Sequence, residues 1–129
     1  MTRCVASALF CAVALTAAAS AWAQAPRNFP ANALRGELLV VAPPEVRVNG
    51  QPARLAPGAR IRGETNLMQV SGALAGQRWM VHYTVDLSGA LLDVWVLTAA
   101  ERANQPWPST ATEAATWSFD IGAQRWSRP

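Results

Sequence analysis

The sequence contains no lysine, a single histidine, and no cysteine after Cys11. Each gap closes off a class of function. One histidine, His82, excludes metal centres built on paired histidines. Cys4 and Cys11 at the extreme amino terminus leave the rest of the chain without thiol ligands or a disulfide framework. No Asn-x-Ser/Thr acceptor follows Asn28, Asn32, Asn49, Asn66 or Asn104. Charge is also sparse, at 15% of residues with a formal net charge of +3. The arginines are scattered from Arg27 to Arg128, whereas a nucleic-acid footprint is a concentrated positive stripe. An OB-like oligonucleotide reader would need stacking aromatics in a basic groove. No nucleic-acid partner is therefore expected. There is no Gly-x-Ser-x-Gly elbow, phosphate loop or dinucleotide fingerprint, so neither a cofactor nor a metal is expected.

What is present is a hydrophobic chain of 129 residues, 51% apolar, enough for one domain with its own core. Its first segment has three parts. Arg3 supplies a positive start, Val5 to Ala19 an uncharged apolar run, and Ala21-Trp22-Ala23 small residues at the two positions a signal peptidase reads. Cleavage is expected before Gln24, removing residues 1–23 and both cysteines. The run falls short of the about 20 apolar residues of a spanning helix, so no stable membrane span is expected after cleavage. The alternative is an inner-membrane anchor formed by an uncleaved leader.

Residues 24–34, with Pro26 and Pro30 and no apolar period, read as a flexible lead-in, and residues 35–129 as a single β-rich domain. Gly36 to Val41 is a short apolar strand that stops at Pro43-Pro44. Asn49-Gly50 between alternating segments is a strong hairpin signal, because both turn positions require positive φ. Pro52 puts the return strand at a sheet edge, and Ala56-Pro57-Gly58 reads as a further turn. From Arg78 to Val85 the alternation is period two. If Ser88-Gly89 is a two-residue loop, Val85 faces Leu92, Tyr83 faces Val94 and Val81 faces Val96. The opposite face then pairs Thr84 with Asp93 and His82 with Trp95, and a one-residue slip would exchange the two faces.

Thr98 with Glu101, and Thr110 with Glu113, have capping-box spacing and begin short helices. Trp117, Phe119 and Ile121 then alternate, and Gln124-Arg125-Trp126 returns as a last hairpin arm. The expected fold is mainly all-β. It is a small antiparallel meander closing to a barrel or sandwich, with one or two short helices near the C-terminus.

Few residues suggest chemistry. His82 beside Asp86 or Asp93 on one sheet face is an acid/base combination, and Asp93 opposite Thr84 with Asp86 nearby is the only carboxylate pairing. The second reads as solvated surface, and mid-strand side chains on a flat face make a poor cleft. A strand histidine stacked on Trp95 is the plainer reading. Tryptophans offer more, because aromatic platforms hold sugars, Pro-rich peptides and cations. Trp107 lies between two prolines, where a ring can be displayed; equally, Trp107, Trp117 and Trp126 can pack as a tail over the sheet. The binding candidates are Trp95, His82, Trp107 and Asp93.

At Ala33-Leu34-Arg35-Gly36, Pro43-Pro44-Glu45-Val46, Val48-Asn49-Gly50, Pro57-Gly58-Ala59-Arg60-Ile61-Arg62-Gly63, Gly76-Gln77-Arg78 and Asp93-Val94-Trp95-Val96-Leu97, the chain resembles a group of small exported proteobacterial proteins with no assigned function. The resemblance implies a periplasmic location and carries no catalytic residues. The expected role is a non-enzymatic interaction module contacting an envelope protein or a glycan through the aromatic face. The alternative is a small periplasmic hydrolase using His82 with Asp93.

Overall fold

The computed structural model describes residues 26–129. The expected cleavage residues Ala21, Ala23 and Gln24 lie outside the described residues. Eight strands form among the described residues: β1 (Leu34–Ala42), β2 (Glu45–Val48), β3 (Gln51–Arg62), β4 (Met68–Gln69), β5 (Arg78–Val85), β6 (Leu91–Val96), β7 (Ser118–Asp120) and β8 (Arg125–Ser127). Two short helices, α1 (Ala99–Ala103) and α2 (Ala111–Thr116), lie late in the chain. The domain is thus mainly β with short C-terminal helices, as the sequence pattern implies.

The strand order is less simple than a meander. The main sheet runs β2-β1-β5-β6-β3-β4, and β2 also pairs with β3, so the pairings run in a ring. Every pairing is antiparallel except β3 with β6, which sets Ile61 beside Val94 and Arg62 beside Trp95 in parallel. The β2–β3 hairpin turns at Asn49-Gly50, with φ of 51° and 79°, and joins Val48 to Gln51. Pro52, which has no N–H to donate, sits where β3 has only β2 beside it. Ala56-Pro57-Gly58 is not a turn that ends the strand. β3 continues through it, and the β3–β6 register shifts between Leu55 and Arg60.

The β5–β6 register holds in the middle and changes at the end. Val81 faces Val96, His82 faces Trp95 and Tyr83 faces Val94, but Val85 faces Leu91 rather than Leu92. The cause is Asp86. Its carboxylate accepts the N–H groups of Ser88 at 2.9 Å and Ala90 at 3.0 Å, while its own N–H bonds the Ala90 carbonyl at 2.9 Å. That side-chain turn makes the loop longer than the two-residue Ser88-Gly89 connection. The extra residue exchanges the faces beyond it. Leu91 is buried at 2% exposure, while Leu92 at 40% and Leu87 at 109% face solvent.

Two cores result. Inside the ring lie Leu38, Val40, Val46, Ile61, Val81, Val94 and Val96, joined by Tyr83 and Leu91. Gly36 makes close approach possible there, since a Cβ on it would come within 3.1 Å of both Tyr83 and Val48. On the outer side of β5 and β6, the β7–β8 hairpin and the Pro106–Pro108 segment bring Phe119, Trp126 and Trp107 onto Leu97 and Trp95. Phe29 and Ala33 are buried in this second core too. The segment before Leu34 thus forms no strand but contributes two packed side chains.

Candidate functional site

α1 lies beside the second core, leaving directly from Leu97, and polar groups tie it to that core at both ends. At its start Thr98 and Glu101 form the capping box, with Glu101 N–H donating to Thr98 Oγ1 at 3.2 Å and Thr98 N–H to Glu101 Oε1 at 2.9 Å. The same carboxylate receives Arg27, whose Nε donates to Oε2 at 2.9 Å. Arg27 also donates to the carbonyls of Gly63 at 2.9 Å and Val96 at 2.7 Å. One arginine thereby ties the lead-in to the ends of β3 and β6 and to α1. Burial on its own would raise the Glu101 carboxyl. Hydrogen bonds from Arg27 and Thr98 outweigh it and hold the group below the usual carboxylate range.

At the other end of α1 the free carbonyls need donors. Arg35, buried on β1, supplies them: its guanidinium donates to the carbonyls of Glu101 and Asn104, each at 2.8 Å. Burial lowers its pKa while Glu101 opposes that shift. The guanidinium carbon lies 5.5 Å from the Trp107 ring centre, and one of its nitrogens is 3.4 Å from His82 Nε2. An arginine only donates, so in this contact Nε2 is placed to accept.

His82 is fully enclosed. Its ring stacks on Trp107 at 4.1 Å and meets the edge of Phe29 at 4.4 Å. Burial, followed by the positive charges of Arg35 and Arg27, pushes its pKa down to about 2, with the Leu34 backbone opposing. A ring so weakly basic and closed to solvent is poorly matched to proton abstraction near neutrality.

The four candidates therefore stand apart from an open aromatic face. His82 and Trp107 are buried, and Trp107 Nε1 donates to the Ala33 carbonyl at 2.9 Å. Trp95 is half-buried, with the Phe29 ring 5.5 Å away. Asp93 lies 3.9 Å from Arg62 and exchanges weak contacts with Thr84. Among the described residues no hydrogen bond or ion pair joins Asp93 to His82. The tail covers the face, and His82 and Asp93 do not form an acid/base pair.

What stays open is a cleft of 460 Å³ beside this core. Its walls are the lead-in at Pro26–Phe29, α1 at Ala100, Glu101 and Asn104, and the β7–β8 turn at Gly122–Gln124; His82 lies at the back. Gln124 clasps two of these walls. Its side chain accepts from Phe29 N–H at 2.8 Å and donates to the Phe29 carbonyl at 3.3 Å. Asn104 Nδ2 donates to the Gln124 carbonyl at 2.7 Å. The cleft is thus preformed, and the half-buried Arg27–Glu101 ion pair in its wall is internally neutralised. The sequence pattern did not single out Arg27, Phe29 or Gln124. The available signal was Phe29, a lone aromatic in a proline-bounded segment that would be costly to leave in water.

Among the described residues no group of three or more His, Cys, Asp or Glu side chains is placed to hold a metal, and no helix is long and apolar enough to cross a membrane. Comparison with known proteins finds no match to a family model, to a curated protein or to a solved structure.

Proposed function

We propose that the mature chain is a non-enzymatic periplasmic interaction module, and that its contact site is the cleft between the lead-in, α1 and the β7–β8 turn. The observation that carries this reading is the preformed cleft, whose 460 Å³ falls among the volumes of ligand sites. Its wall charges pair with each other, which suits an uncharged segment of an envelope protein. A glycan would call for an open ring, and Trp107 and Trp126 are buried against other rings instead. The enclosed, neutral His82 speaks against the hydrolase alternative.

Site-directed cross-linking tests this. The described residues contain no cysteine, so Ala123→Cys carries a photo-activatable thiol reagent at the cleft without competition. The expected result is an adduct with an envelope protein that disappears when Ala100→Trp fills the cleft. Gln51→Cys, on the β2–β3 hairpin, should give no such adduct. Equal labelling from both positions, an adduct with glycan alone, or an adduct that survives Ala100→Trp would overturn the proposal.

A further inference from the structure

We infer that Asn49-Gly50 is a modification site, and that its reaction, loss of the side-chain amide as ammonia, is held shut by pairing of the turn with β1. In an open chain this step needs no enzyme. The Gly50 nitrogen attacks Asn49 Cγ, a C–N bond forms, and the side-chain nitrogen leaves as ammonia with the Gly50 proton. Water then adds to either carbonyl of the succinimide, leaving aspartate or, where the main chain now runs through Cβ and Cγ, isoaspartate. Glycine after the asparagine leaves the attacking nitrogen unhindered, and nothing lies within 4 Å of where a Gly50 Cβ would stand. Both residues are exposed. Neither bulk nor burial protects the pair.

What opposes the step is the direction in which the amide is held. Asn49 Oδ1 accepts the Glu37 N–H at 2.9 Å, and Asn49 N–H donates to the Glu37 carbonyl at 2.9 Å. The side chain therefore reaches across to β1, with Nδ2 3.2 Å from where a Cβ on Gly36 would stand. The missing side chain at Gly36 gives the amide its seat. The backbone is set as well, with φ of 51° at Asn49 and 79° at Gly50 in the hairpin turn. Closing the ring swings Cγ toward the Gly50 nitrogen and releases the Glu37 N–H. The reaction thus requires the turn to open locally from β1, and its rate is the open-chain rate scaled by the open fraction. The two products then diverge. Aspartate keeps an oxygen for the Glu37 N–H. Isoaspartate adds a methylene to the main chain inside the turn, so Val48 and Gln51 no longer meet in register. None of these residues lines the cleft, and the inference does not depend on the function proposed for it.

The test incubates the wild-type chain in mildly alkaline buffer, folded and in urea, and reads Asn49 by peptide mass mapping and enzymatic methylation of isoaspartate. In urea Asn49 should convert ahead of Asn28, Asn32, Asn66 and Asn104, none of which precedes a glycine. In the folded chain it should convert at least about tenfold more slowly. Gly36→Ala, whose methyl displaces the amide, should raise the folded-state rate several-fold, whereas Thr98→Ala, which loosens only α1, should leave it unchanged. Circular dichroism establishes that each variant is folded, and the wild-type comparison stands without them. Chains converted in urea and returned to buffer should melt lower when they carry isoaspartate than when they carry aspartate. Equal rates in the folded and unfolded chain would overturn the inference, as would no conversion in urea. So would a Gly36→Ala rate no higher than that of Thr98→Ala, or isoaspartate chains as stable as the unmodified protein.

Discussion

The two cores of this domain are held by different physics. Inside the ring the side chains are aliphatic apart from Tyr83 and the half-buried Trp79, delivered by strands whose alternation places every second residue inward. Outside β5 and β6 the second core is aromatic and contains a buried cation, Arg35, and a neutral histidine. Its parts come from the lead-in, the end of β6, the proline segment, α2 and the last hairpin, which share no repeating period. Dispersion and area burial suffice for the first. The second needs directional bonds from Arg27, Arg35, Trp107 and Gln124 to fix where each piece lies. A core assembled from unrelated segments is specified by its polar ties, and a core assembled from strands by its period.

The comparison is sharpest where the second core is most dependent on one ring. Trp107→Ala removes the partner of His82, Phe29, Phe119 and Trp126 together. It should cost about 3–5 kcal/mol of unfolding free energy in urea, with near-ultraviolet dichroism collapsing while the far-ultraviolet β signal persists. Within the ring the neighbouring leucines should part company. Leu91→Ala should cost about 2–5 kcal/mol, whereas Leu92→Ala should stay within about 0.5 kcal/mol. Similar losses at both positions would return the register to the two-residue loop.

Acid should separate the cores next. His82 has a folded pKa near 2 against 6.5 for the free side chain, so the unfolded state takes up a proton that the folded state refuses. Its contribution is whole above pH 6.5 and is lost as pH falls through that value toward 2. One proton corresponds to about 1.4 kcal/mol per pH unit. Between roughly pH 6 and 5, above the carboxyl range, His82 should dominate the slope. Unfolding followed across that window should show it, and His82→Gln should flatten it. Below that range Glu101, whose folded pKa is also depressed, adds a loss of the same sign. Among the losses of stability a modest one is expected at Thr98→Ala, about 1 kcal/mol from the lost cap. It should be accompanied by faster amide exchange in α1 and no change in β1 or β5.

Much of the ring was legible because its signals are local. Asn49-Gly50 set the hairpin, the period of two from Arg78 set the centre of the β5–β6 register, and the Thr-x-x-Glu spacings set both helix starts. The parallel β3–β6 pairing was not legible, since nothing in either segment records that they meet. The slip at Val85 turned on a choice between Ser88-Gly89 and the Asp86 carboxylate as turn-maker, two competing short-range options. The cleft was least legible. Arg27 and Phe29 stand among prolines with no period, and their partners are Glu101 and Gln124. The aromatic residues were visible as a group, but composition alone does not say whether rings face water or one another.

The bond from Phe29 N–H to the Gln124 side chain joins positions 95 residues apart. A chain growing from its amino end offers Phe29 long before Gln124. Arg27 can reach Gly63, Val96 and Glu101 without the β7–β8 hairpin, but the Phe29 backbone gains its clasp only when that turn has formed. The lead-in is therefore fastened in two stages, first by a guanidinium and later by its backbone.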